Sequence, residues 1–147
     1  MEKVNEILKD KRMVLSTLWI FVTLNYLYCD VIGLMDPVLL NQYLTGTIGP
    51  IHIDENFLLA GAVLMEIPIA MVLLSRVLSY KANRLANIIG ASIKTLAMIA
   101  TMFVGSPSSY YLFFGIIEIL TTVFIVVYAW NWKIEDGARK IQSDFGL

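Results

Sequence analysis

Cysteine, histidine and charge are all scarce in this chain of 147 residues, which has one Cys, one His and only 16% Asp, Glu, Lys and Arg together. Cys29 has no partner for an intrachain disulfide, so a dithiol redox centre built from this chain alone is excluded. His52, standing alone, excludes two-histidine haem ligation, and no Cys, His, Asp and Glu cluster has the spacing of a metal site. No glycine-rich loop leads into a lysine, as a phosphate-binding loop requires. Nor is there a recognisable nucleophile–base pair, and the segments between the apolar runs are too short to fold as enzymatic domains. The expectation is no cofactor, no metal and no catalytic residue. A net charge of −1 gives no global field that would attract nucleic acid.

What the chain does have is apolar length. Hydrophobic residues make up 58%, the mean hydropathy is +0.71, and the few charges gather in short segments. A spanning helix takes about 20 mostly apolar residues. Four stretches qualify, at about 14–35, 57–78, 85–104 and 110–132. They are apolar nearly all round, unlike the one-sided helices of a soluble bundle. The charged opening dozen is helix-prone. The run after it is about twice the length of a signal-peptide core and has no small-residue cleavage site, so it reads as a retained span. The expected fold is all-α: a four-helix transmembrane bundle over 14–132, between a cytoplasmic N-terminal segment, 1–13, and a cytoplasmic tail, 133–147.

The cations set the orientation. Lys3, Lys9, Lys11 and Arg12 precede the first stretch, Arg76, Lys81 and Arg84 surround the link between the second and third, and Lys133, Arg139 and Lys140 follow the fourth. Residues 36–56 and 105–109 hold no Lys or Arg. The positive-inside rule then puts both termini in the cytoplasm of a multi-pass protein of the cell membrane, with Trp130, Trp132 and Tyr80 at the inner boundary and Tyr110 and Tyr111 at the outer one. In the first outer loop, Asp36 reads as an N-cap, Pro37 as the first helical position and Gly46 as the stop, which predicts a short interfacial or partly re-entrant helix. Residues 47–53, β-branched around Gly49-Pro50, predict an extended cover. Gly105-Ser106-Pro107-Ser108 reads as a helix stop followed by a restart.

Ionisable groups inside a span cost about 2.5–3.5 kcal/mol each on insertion scales. Asn25, Glu66, Lys94 and Glu118 fall near the centres of the four stretches, one apiece, with Asp30 about a turn and a half further out. Asn87 and Tyr26 are further polar candidates. Small and polar residues accompany them at three-and-four spacing: Ala62, Glu66 and Ala70; Asn87, Gly90, Ala91, Lys94, Ala97 and Thr101; Gly115, Glu118, Thr121 and Thr122. Small residues let membrane helices approach closely. These faces are therefore expected inward, with Asn25, Asp30, Glu66, Lys94 and Glu118 converging as ligand- or proton-binding groups. One cation among several carboxylates leaves a surplus acid, expected to hold a proton. Pro68 is expected to kink the second span beside Glu66 and act as a hinge. Glu66-Ile67 and Glu118-Ile119 recur at similar places, as in two parallel hairpins.

The stretches LWIFV at 18–22, NYLY at 25–28, LMDP at 34–37, MEIPIAMVLLSR at 65–76, NRLANII at 83–89 and IEI at 117–119 resemble a bacterial family of uncharacterised four-span membrane proteins, a domain of unknown function. The resemblance covers about residues 13–133 and implies the four-span fold without an activity or ligand. In layout alone the chain is also similar to small DoxX-like four-helix membrane proteins. Three functional readings remain open, all with the lipid bilayer as partner. The chain could bind or translocate a small solute or proton through its polar cluster, alone or as a homo-oligomer. It could be a non-catalytic structural or accessory subunit whose buried ion pair sets helix packing. The third reading, a redox or lipid-modifying membrane enzyme, lacks the residues such chemistry needs.

Overall fold

The computed structural model describes residues 2–103 and 107–132, and five helices carry most of them. Of the expected stop and restart at 105–108, residues 105 and 106 lie outside the described residues, as does the tail at 133–147, while Ser108 precedes the last helix as its N-cap. Nothing between residue 2 and Pro37 breaks a helix, and α1 (Glu2–Met35) runs unbroken through the charged opening into the apolar stretch. Glu, Lys and Arg are good helix formers, so polarity changes along α1 while the backbone does not. The boundary drawn at 13/14 is one of composition only.

Pro37 disfavours a helical conformation at the residue before it. Asp36 is accordingly extended, and its carboxylate accepts from the backbone N–H of Val38 at 2.9 Å and of Leu39 at 3.4 Å. These bonds start α2 (Pro37–Thr45), which Gly46 closes in the left-handed conformation at φ 72°. Two short strands, β1 (Thr47–Ile48) and β2 (Ile51–His52), then pair antiparallel around Gly49-Pro50, with Thr47 opposite His52. Asp54 caps α3 (Glu55–Val77) through the N–H of Phe57. A two-residue link leads to α4 (Tyr80–Thr101), which begins five residues before the apolar stretch and takes in Lys81 and Arg84. The last helix is α5 (Ser109–Trp130).

The four long helices close a ring: α1 packs on α3 and α5, and α4 packs on the same two. Their inward stripes repeat at three and four residues, as on α1, where Leu15, Trp19, Val22, Tyr26 and Cys29 are buried. Polarity is distributed the opposite way from a water-soluble protein. Ser16, Ser75, Asn83, Asn87, Lys94, Glu118, Thr121 and Thr122 are buried, while leucines, isoleucines, valines and phenylalanines cover the outside of every long helix. A soluble monomer rarely exposes so much continuous apolar surface. Three helical segments are long and apolar enough to cross a membrane: Asp10–Met35, Glu55–Val77 and Ser109–Trp130. The remaining long helix, α4, has their length but spends one face on Asn83, Asn87, Gly90, Ala91 and Lys94, all turned inward.

Candidate functional site

Two polar layers cross the interior, and their hydrogen-bond accounts differ. The first joins α1, α3 and α4 near the end of the bundle where α3 meets α4. The indole N–H of Trp19 donates to Asn87 Oδ1 at 2.7 Å, and the Ser75 hydroxyl to the same oxygen at 3.3 Å. Asn87 Nδ2 donates to the backbone carbonyl and the side-chain oxygen of Asn83, whose own Nδ2 donates to the Ser75 carbonyl at 2.6 Å. Both lone-pair positions and both protons of the Asn87 amide are thus used. Next to this layer, Arg76 Nε donates to Ser16 Oγ, which donates to the Val72 carbonyl. This layer is complete in itself.

The second layer is not. Lys94 on α4 is 3% exposed, and its ammonium sits 3.8 Å from the centroid of the Tyr26 ring. Its other polar neighbour is the thioether of Met65, 3.7 Å from Nζ. A ring face attracts a cation, but neither a ring nor a thioether matches a carboxylate. Glu118 on α5 is 1% exposed, and its Oε1 has no hydrogen-bond partner; the Tyr26 hydroxyl, equally enclosed, has none either. Glu118 and Asp30 are the carboxylates whose fields act on Lys94, and Tyr26 and Cys29 lie in the field of Glu118. Among the described residues, however, no ion pair forms between Lys94 and either acid. Buried polar groups are nearly always satisfied, yet Glu118 Oε1 and the Tyr26 hydroxyl have no hydrogen-bond partner among the described residues. Toward the other end of the bundle, the Tyr111 hydroxyl donates to Thr101 Oγ1 at 2.6 Å. Below the layer, Thr95 donates to Thr122, tying α4 to α5.

The five residues expected to converge do so only in part. Lys94 and Glu118 are buried in one layer. Asp30 contributes its field from an exposed position. Asn25 is half-buried and spends its amide on the Phe21 carbonyl of its own helix, 2.8 Å away. Glu66 is exposed, on the outside of α3. The inward face of that helix carries Pro68, Met71 and Ser75, and a residue two positions before Pro68 sits about 200° around the helix from it. The expectation that Ala62, Glu66 and Ala70 face inward is therefore corrected. Ser75 is needed against Asn83 and Asn87, and Met71 lies where a side chain at Gly90 would touch it. Glu66 and Glu118 consequently occupy opposite surroundings, and the recurrence of Glu-Ile is not a repeat of role. Pro68 is buried within a continuous α3.

Tyr26 and Met65 are the other members of the layer. Tyr26 is legible in the sequence as a polar candidate for the interior, whereas nothing in the sequence singles out Met65. No group of three or more His, Cys, Asp or Glu suited to a metal occurs among the described residues. An open-sided apolar groove of about 520 Å³ runs between α3 and α4, and Leu64 and Ile93, which flank the Met65–Lys94 contact in sequence, help to line it.

The chain belongs to the family of unknown function designated DUF6326, whose model matches residues 2–139. No curated protein and no solved structure matches it.

Proposed function

We propose that the chain is a four-span integral membrane protein that binds a small polar solute, or relays a proton, at Lys94, Glu118 and Tyr26 inside its helix ring. The carrying observation is the Glu118 Oε1, enclosed and unpartnered beside a lysine that holds only a ring face and a sulfur. A small molecule with both an acceptor and a donor, or water carrying a proton, would complete both groups at once.

In this reading α1, α3, α4 and α5 form a four-helix transmembrane bundle. The polar stripe of α4 is no obstacle to its spanning, because Leu85, Ile89, Ile93 and Leu96 on the opposite face are what lipid would meet. The amphipathic α2, with no buried residue, lies in the outer interface. Cations at the Tyr80 and Trp130 end, and none in 36–56, support a cytoplasmic location for both termini.

The complete Trp19, Ser75, Asn83 and Asn87 layer favours a second reading, an accessory subunit whose polar core sets only packing, because that layer already does so. Ligand-linked stability separates the two. A ligand of the native state raises the melting midpoint by an amount set by its concentration over its Kd. A thermal-shift panel of small zwitterions, carboxylic acids and polyols at two pH values is expected to yield at least one stabiliser of the wild type. That stabiliser should have no effect on folded Glu118→Gln or Lys94→Met. Stabilisation that persists in both variants would remove this layer from the account.

A further inference from the structure

Glu66 stands at the middle of α3, eleven residues from either end, and is exposed, off the inward face of Pro68, Met71 and Ser75. Around it lies an outward face of Leu59, Ala62, Val63, Ala70 and Leu73, of which all but the half-buried Ala70 are exposed. From 55 to 63 every residue of α3 is exposed. If α3 spans the bilayer, as the proposed function takes it to, a carboxyl group faces hydrocarbon at mid-depth. Lipid chains offer it neither donor nor acceptor.

We infer that this face of α3 is covered by the same face of a second copy of the chain, in a parallel two-fold dimer with Glu66 against Glu66. The chemistry selects the occupant. A protonated carboxyl carries one donor and spare acceptors, so it is its own complement. A two-fold axis along the membrane normal makes each residue of α3 meet itself. Ala62 and Ala70, one turn to either side, let the two backbones come close enough for the acids to bond. No Lys or Arg faces outward at this depth among the described residues, so the chain offers Glu66 no cation on a neighbouring copy. The interface uses neither Lys94 nor Glu118 and stands independently of the ligand site.

Cysteine cross-linking in native membranes tests this with Glu66 left in place. In a Cys29→Ser background, Ala62→Cys and Ala70→Cys are expected to form disulfide-linked dimers on mild oxidation. Leu120→Cys, on the outward face of α5, should remain monomeric. Adding Glu66→Leu should lower dimer formation about tenfold, the size of one interhelical hydrogen bond, and Glu66→Gln, which keeps a donor and an acceptor, should restore it. The inference is overturned if the two α3 cysteines cross-link no better than Leu120→Cys, if Glu66→Leu leaves the yield unchanged, or if they couple to a different protein. A membrane-impermeant maleimide that labels Ala62→Cys would overturn the reading of α3 as a span as well. Unlabelled, uncoupled cysteines would overturn the dimer alone.

Discussion

At the scale of single residues, the interior holds polar groups that finish each other and, at Glu118 Oε1 and the Tyr26 hydroxyl, polar groups with no hydrogen-bond partner among the described residues. Asn87 is of the first kind. Replacing it with Leu strands the Trp19 indole N–H, the Ser75 hydroxyl and the Asn83 side chain in a closed interior. Asn87→Leu should therefore destabilise the fold by about 1–3 kcal/mol, read as a lower unfolding midpoint in detergent. Asn25→Leu, which loses only a bond to its own helix, should change stability by less than about 0.5 kcal/mol. An equal loss in both would mean that the Asn87 layer contributes nothing specific. Residue type and spacing made much of this legible: Lys94, Glu118, Thr121 and Thr122 were all placed on inward faces from their small neighbours, and the structure buries them. The Lys94–Tyr26 and Lys94–Met65 contacts were not legible. They depend on which turn of α1 and α3 comes level with which turn of α4, and helix periodicity carries no information on that offset.

At the scale of elements, α4 and α5 are held by shape as much as by polarity. A Cβ at Gly115 would run into the terminal methyls of Met98 on α4 and of Met102, the residue that caps it. The methyl of Ala can be accommodated if those flexible ends move aside, but a larger side chain would wedge the pair apart. Gly115→Leu should destabilise by about 1–3 kcal/mol and Gly115→Ala by less, in the same detergent melt. A Leu variant as stable as the wild type would show that the two helices do not approach as closely as described. The element that the sequence misjudged is α3. Its two candidate faces, Ala62-Glu66-Ala70 and Pro68-Met71-Ser75, both have the right period. A rule that turns every mid-span charge inward favours the first. Ser75, the hydrogen-bond partner of the asparagines on α4, decides for the second.

At the scale of the whole molecule, an apolar exterior wrapped around a polar interior is the property that the long uncharged runs announced most clearly. The short α2 between Asp36 and Gly46 was equally plain, because N-cap, proline and left-handed glycine are local signals. Orientation is a property of the whole chain too. Fusions to a fluorescent protein that matures only in the cytoplasm should glow at either terminus, and phosphatase fusions active only outside should be silent there. An active phosphatase at both ends would invert the topology.

The proposed function requires that the layer of Lys94, Glu118 and Tyr26 exchange something with its surroundings rather than merely brace helices. Proton flux into liposomes under an imposed pH gradient, read with an entrapped dye, tests that most directly. Wild-type protein should carry protons faster than empty liposomes, while Glu118→Gln and Lys94→Met, folded and inserted to the same extent, should fall to the empty-liposome rate. A wild-type rate no greater than that of empty liposomes, or variants that conduct as well as the parent, would contradict the proton relay and leave only solute binding, which the thermal-shift panel tests.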